Sequence, residues 1–148
     1  MTATRKVRRP VPANTDTVPT KVFINLPVRD LPASMEFFRT LGFSFDVEFT
    51  NDEAACMVVS DTIYVMLITH GLFQNFTTNP IADAKAVSEV LVAFSVGSRE
   101  AVDAMVASAL AAGARPNKEP QDHGFMYAHS FHDLDGHIWE PLWLDPSK

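Results

Sequence analysis

The chain has 148 residues, 47% of them hydrophobic and 20% charged, enough for one domain to bury about two-thirds of its unfolded surface without disulfide staples. Its single cysteine, Cys56, excludes an internal disulfide framework and any multi-cysteine zinc or iron–sulfur centre, and no apolar run approaches the ~20 residues of a membrane helix. The formal net charge is −6, with eight basic against seventeen acidic side chains beyond residue 19, a body that repels phosphate backbones and excludes nucleic acid as a partner. A soluble, cytoplasmic protein is expected.

Residues 1–19 hold Arg5, Lys6, Arg8 and Arg9 against one acid, Asp16, in a Thr- and Pro-rich setting with no apolar stretch of the secretory kind. Two readings stand: a flexible or strand-exchanging tail, or a short basic arm that touches an acidic partner. Val22–Val28 is β-branched and apolar apart from Asn25 and predicts a buried strand. Asp30-Leu31-Pro32 then supplies a helix N-cap with proline in the first turn. Leu31, Met35, Phe38 and Leu41 give one helical face, closed by Gly42. Phe43, Phe45, Val47 and Phe49 alternate with Ser44, Asp46 and Glu48, the pattern of a half-buried strand. After the turn Thr50–Glu53, strands are predicted over Ala54–Ser60 and Thr62–Thr69.

Residues 71–89 form a linker with an Asn79-Pro80 breaker and an Ala-rich stretch suited to a short helix. The first pattern then returns: a strand at Val90–Val96, a cap at Ser98, and a helix with Val102, Met105, Val106, Ala109 and Leu110 on one face, stopped by Gly113. An edge-like stretch with Pro116 and Pro120 precedes a strand at Phe125–Phe131, a turn at Asp133–Gly136 and a last strand at His137–Leu144. The two glycine stops lie 71 residues apart. This is a duplicated βαβββ unit, over residues 20–70 and 90–145. The fold class is α+β, two βαβββ modules curling into a half-open mixed barrel with the helices outside and a concave trough for a ligand.

Two stretches carry a family resemblance: Val28-Arg29-Asp30-Leu31-Pro32-Ala33-Ser34-Met35-Glu36-Phe37-Phe38, leading to Leu41-Gly42-Phe43, and Asp133-Leu134-Asp135-Gly136-His137-Ile138-Trp139-Glu140. Over residues 20–145 the chain resembles the vicinal oxygen chelate superfamily of glyoxalases, bleomycin-resistance proteins, fosfomycin-resistance proteins and extradiol dioxygenases. Most closely it is similar to glyoxalase-like bacterial proteins labelled predicted lactoylglutathione lyases. The resemblance implies a homodimer, and open sheet edges that need covering support it. It also implies metal-ligand positions on four strands, which fall on Phe23, Met66, Leu91 and Glu140. Only Glu140 is a competent ligand for a hard cation, so a divalent metal is disfavoured and no cofactor is assigned.

Strand parity places Phe23 and Asn25 on one face, with Tyr64, Met66 and Ile68, then Leu91, Ala93 and Ser95, then Ile138, Glu140 and Leu142 on the equivalent faces of other strands. These predict an apolar trough with Asn25, Tyr64, Ser95 and Glu140 as its polar groups. Enclosure by Phe, Met and Leu raises a carboxyl pKa, which suits Glu140 to remove a proton beside a carbonyl. The plainer alternative has Glu140 bonding a neighbouring backbone group or Tyr64. Asn25 also fits a strand-edge role near Pro27, and Tyr64 and Met66 fit a pocket wall or core. Tyr127 and His129 share a strand face and are placed at the pocket rim, or else at the surface or a dimer contact. No pair among His123, His129, His132 and His137 has the helical i, i+4 spacing of a zincin site. The Asp133–Gly136 loop lacks the further ligands of a calcium loop and reads as a turn. Cys56, in an apolar strand without an adjacent base, reads as a packed thiol. Two functions follow: a glyoxalase-like lyase or isomerase with Glu140 as general base, or a protein of the bleomycin-resistance type that only sequesters a small molecule.

Overall fold

The computed structural model describes residues 15–148, so the two readings of the basic arm fall largely outside it. Strand β1 (Val22–Val28) runs into helix α1 (Leu31–Thr40), and Asp30 caps that helix by accepting the Ala33 amide. Gly42 follows at φ +99°, the left-handed turn that a glycine makes without strain. Next come β2 (Ser44–Asp46), β3 (Ala54–Val58) and β4 (Ile63–Thr69), giving a four-stranded sheet in the order β1-β4-β3-β2. β1 lies parallel to β4, with Phe23 opposite Tyr64 and Asn25 opposite Met66.

The second half repeats the plan. After a four-residue helix α2 (His70–Phe73) and a long connection come β5 (Leu91–Ser95) and α3 (Arg99–Ala111), the latter capped by Ser98. Four short strands follow: β6 (Arg115–Pro116), β7 (Gln121–Asp122), β8 (Met126–Ala128) and β9 (Phe131–His132). The last strand, β10 (Ile138–Leu144), pairs parallel with β5 on one side and antiparallel with β8 and β9 on the other. β6 and β7 continue outward from β9 and β8, which reproduces the strand order of the first sheet. The architecture is α+β, a curled half-barrel of paired βαβββ units. Among the described residues no helix is long and apolar enough to cross a membrane.

Three elements depart from the sequence pattern. The alternating run Phe43–Phe49 stays a strand only as far as Asp46. There the Asp46 carboxylate accepts the Glu48 amide and turns the chain into a 3-10 turn, leaving Val47 and Phe49 exposed. The Ala-rich stretch of the linker makes turns, and the short helix forms earlier, where Thr69 caps it. The strand predicted over Phe125–Phe131 is interrupted between β8 and β9.

One core serves both units. Leu26, Val28, Ala55, Met57, Val65 and Leu67 of the first sheet and Val92 and Trp139 of the second face the helices. Phe38 of α1 packs on Trp139 with ring centroids 4.7 Å apart, and Phe37 meets Phe131 at 6.1 Å. Full burial of such rings is worth about 2–3 kcal/mol each. The turn before β10 adds polar ties across the same junction: Asp135 accepts the Arg29 amide (2.9 Å) and the Ser34 hydroxyl (3.4 Å), and His137 Nε2 donates to the Pro27 carbonyl (2.7 Å).

Candidate functional site

With one face of each sheet committed to the helices, the alternate residues are left to form the opposite faces. On the first sheet, Phe23 stacks on Tyr64 (centroids 5.1 Å, planes 13° apart), and the Lys21 ammonium sits 5.5 Å from the Tyr64 ring centre. Phe23 remains 52% exposed. The Tyr64 hydroxyl is occupied by the Asp61 carbonyl, and the Asn25 amide donates to the Phe23 carbonyl. Met66 lies half-buried between Asn25 of β1 and Cys56 of β3. The buried Cys56 thiol is pushed upward in pKa by its burial, in keeping with a packed, unreactive group.

Two adjoining clefts open near the junction of the units. The first, of about 450 Å³, lies between the Ile24–Pro27 stretch of β1, Phe73, the linker and the Gly136–Ile138 stretch. The second, of about 410 Å³, is bounded by Leu91, the 117–121 segment, Ala128–Ser130, Ile138 and Glu140. Ser88 and Ile138 line both. Of the residues predicted from parity, Asn25 lines the first cleft, and Leu91, His129 and Glu140 line the second. Phe23, Tyr64, Met66, Ser95 and Tyr127 line neither.

Glu140 is half-buried on β10 and, among the described residues, its carboxylate has neither a hydrogen bond nor an ion pair. Its surroundings differ from the apolar enclosure expected of Phe, Met and Leu. The polar segment carrying Asn117, Lys118, Glu119 and Gln121 folds beside it, because β6 and β7 run outside β9 and β8. The Asn117 amide is spent on the Ser130 hydroxyl (2.9 Å), while among the described residues the Lys118, Glu119 and Gln121 side chains have no partner.

Tyr127 and His129 do share a side, but it is the helix side. The Tyr127 hydroxyl donates to Asp103 of α3 at 2.5 Å, and this bond pushes its pKa up to about 12. His129 Nδ1 is 3.9 Å from the same carboxylate, so the ring turns from the cleft that the residue borders. Beside them the Arg99 guanidinium forms a two-pronged pair with Asp122 (2.7 and 3.0 Å) between the rings of Tyr127 and Trp143. That pairing holds the Asp122 carboxyl below the usual carboxylate range.

The linker as cleft wall is a feature that strand parity misses. Gly136 makes it possible: at φ +96° a Cβ there would meet the backbone of Ala84 and Lys85 at 2.8 Å. Arg29 and Asp83, 3.7 Å apart, lie along the same contact.

A family model described as the glyoxalase/bleomycin resistance protein/dioxygenase superfamily matches residues 22–140. The chain belongs to that superfamily. Among solved structures it is similar to the hypothetical protein SA1046 from S. aureus, with a TM-score of 0.72, 29% identity, and coverage of 83% of this chain and 92% of that one. It is also similar to a glyoxalase/bleomycin resistance protein/dioxygenase family enzyme from Burkholderia phytofirmans PsJN (TM-score 0.70, 21% identity, 82% and 96% covered). A bleomycin resistance determinant encoded on the transposon Tn5 shares the fold (TM-score 0.59, 16% identity, 84% and 98% covered). No curated protein matches the sequence.

In this superfamily member the four positions that the resemblance assigned to a cation carry Phe23, Met66, Leu91 and Glu140. Two hydrocarbons and a thioether offer no hard donor, so the set does not fit a divalent ion. Among the described residues no other group of three or more His, Cys, Asp or Glu is placed to hold one. His132 and His137 serve the closing turn instead, bonding the Gly136 and Pro27 carbonyls.

Proposed function

We propose that this protein is a cytoplasmic glyoxalase-like lyase or isomerase acting on a small carbonyl compound or its hemithioacetal, with Glu140 as general base and no catalytic metal. The observation that carries the reading is the Glu140 carboxylate, which borders a cleft with no internal partner to occupy it. Among the described residues its oxygens are not sealed in the core and hold no hydrogen bond of their own, so they are open to whatever enters the cleft.

In the step proposed, Glu140 takes the proton from the carbon that bears the hydroxyl and the sulfur of a hemithioacetal. The C–H electron pair moves toward the adjacent carbonyl, whose oxygen gains the negative charge. Return of the proton to that adjacent carbon, with transfer of the hydroxyl proton to the new alkoxide, gives the 2-hydroxy thioester with no oxidant or reductant. Lys118, which lines the same cleft, supplies positive charge for the enolate oxygen. Glu140→Gln should lower turnover of the methylglyoxal–glutathione hemithioacetal by 10²–10⁴-fold, roughly the contribution of a positioned base. Full turnover in that variant rejects the role.

The exposed Phe23–Tyr64 stack favours a second reading, in which the protein sequesters a planar ligand without transforming it. A planar aromatic that raises the melting temperature of the wild type but not of Phe23→Ala, in a protein with no turnover, would support it. We also propose that two copies pair, because Val22, Phe23 and Leu91 leave apolar surface open. A monomeric mass by light scattering at micromolar concentration contradicts that.

A further inference from the structure

We infer that the ligand of this site is bipartite: a carbonyl-bearing polar head beside Glu140 and an apolar tail several carbons long that crosses Ile138 into the cleft under the linker. This rests on the proposed role of Glu140 for its head group and adds the tail and its place.

The two clefts differ in chemistry and meet along a shared wall. Ser88 and Ile138 line both, so a molecule bound beside Glu140 has an adjoining space of about 450 Å³ next to it. Volumes of this order are typical of pockets for small organic molecules. That space is walled mainly by Pro27, Phe73, Ile81, Val87 and Ile138, with Glu89 as the one carboxylate among its lining residues. Two of its polar neighbours are already committed: His137 Nε2 to the Pro27 carbonyl, and the Asn25 amide to the Phe23 carbonyl. The second cleft is the reverse, with Lys118, Glu119, Gln121 and Glu140 all free of side-chain partners among the described residues. A wholly polar ligand would leave the first cleft's apolar wall in water, and a wholly apolar one would strand the Glu140 carboxylate. A molecule with both parts satisfies both walls at once. The wall on the tail side is the linker, fixed where Gly136 lets the Ala84–Lys85 backbone approach.

The test uses the full chain and a series of methyl ketones, 2-butanone to 2-octanone, with affinities measured by ligand-detected NMR. Each methylene buried in the first cleft should tighten binding about fourfold until the space is filled. Val87→Asp places a charge in the tail wall at an exposed linker position (57% exposed), where folding is not at stake. It should flatten the chain-length dependence from 2-butanone to 2-octanone. A wild type with no chain-length dependence overturns the inference, while the effect of Glu140→Gln on turnover still judges the base separately. A chain-length dependence that survives both Val87→Asp and Ile81→Asp overturns the placement of the tail.

Discussion

The carboxylate of Asp135, in the turn before the last strand, accepts the backbone amide of Arg29 at 2.9 Å, 106 residues earlier in the chain. The same side chain reaches the Ser34 hydroxyl, so one aspartate ties the second unit to the start of the first unit's helix. A charge-assisted bond of this kind contributes about 1.5–3 kcal/mol, and its loss leaves the amide at a part-buried site without this partner. Asp135→Ala is therefore expected to lower unfolding stability by about 3 kcal/mol, and Ser34→Ala by under about 1 kcal/mol. Urea denaturation of the two variants checks this; equal, small effects would mean that the turn does not join the units.

Gly136, next in the chain, supports a second prediction. Alanine there adds the strain of a left-handed backbone, about 1–2 kcal/mol, and drives a methyl group into the Ala84–Lys85 backbone at 2.8 Å. Gly136→Ala should lose at least about 2 kcal/mol of stability and also release the linker from the cleft it walls. Amide hydrogen exchange should show faster exchange of the Ala86 and Val87 amides, which donate to the Asp83 carbonyl. Unchanged protection there would separate the linker from the turn.

These two cases mark what the sequence made legible. The repeated strand–helix–glycine pattern announces both units because each obeys local rules: a capped apolar helix, a left-handed glycine, strands of period two. Asp133-Leu134-Asp135-Gly136 likewise reads as a turn. Nothing local reveals that Asp135 serves Arg29 rather than its own loop, because the partner is brought to it by the packing of the two units, Phe38 on Trp139 and Phe37 on Phe131 included. Parity put Glu140 and Leu91 on equivalent faces, and both line the second cleft, yet it could not foresee that the polar 117–121 segment folds beside them. It also placed Tyr127 and His129 together at the pocket rim, or else at the surface or a dimer contact, whereas Asp103 of α3 bonds the Tyr127 hydroxyl and lies 3.9 Å from His129 Nδ1.

Tyr127 gives a prediction in pH. Asp103 accepts its hydroxyl proton and lifts its pKa from 10.0 to about 12. A raised folded-state value means the bond's stabilisation is fully present below the unfolded pKa and is lost as pH rises from 10 through about 12. Of the two tyrosines, Tyr127 should ionise with a midpoint near 12 in ultraviolet titration, and Asp103→Asn should bring it down toward the ordinary 10. A Tyr127 that titrates normally in the wild type would contradict the geometry.

Asp133 is shut in by the same turn. Burial raises its pKa, and the Trp139 indole, donating to it at 2.8 Å, pulls the other way. Because the folded value is raised, keeping this carboxylate ionised costs stability at neutral pH, and the cost falls away as the pH drops through the folded value. Trp139→Phe removes the donor and part of a fully buried ring, with an expected loss of about 2–4 kcal/mol at pH 7 that shrinks toward acid pH. Denaturation midpoints at pH 7 and pH 4.5 read the difference directly, and a loss that is the same at both would assign the whole effect to packing.

The role proposed for Glu140 is to move a proton in the cleft it borders. Deuterium incorporation from heavy water into the 2-hydroxy thioester formed from the methylglyoxal–glutathione hemithioacetal reads that transfer. Proton transfer by Glu140 predicts product formation with partial incorporation at the carbon beside the thioester, unaffected by a chelator, and a fall in rate of 10²–10⁴-fold in Glu140→Gln, roughly what a positioned base supplies. An unchanged rate in that variant, or a wild-type rate abolished by the chelator and restored by a divalent ion, would contradict it.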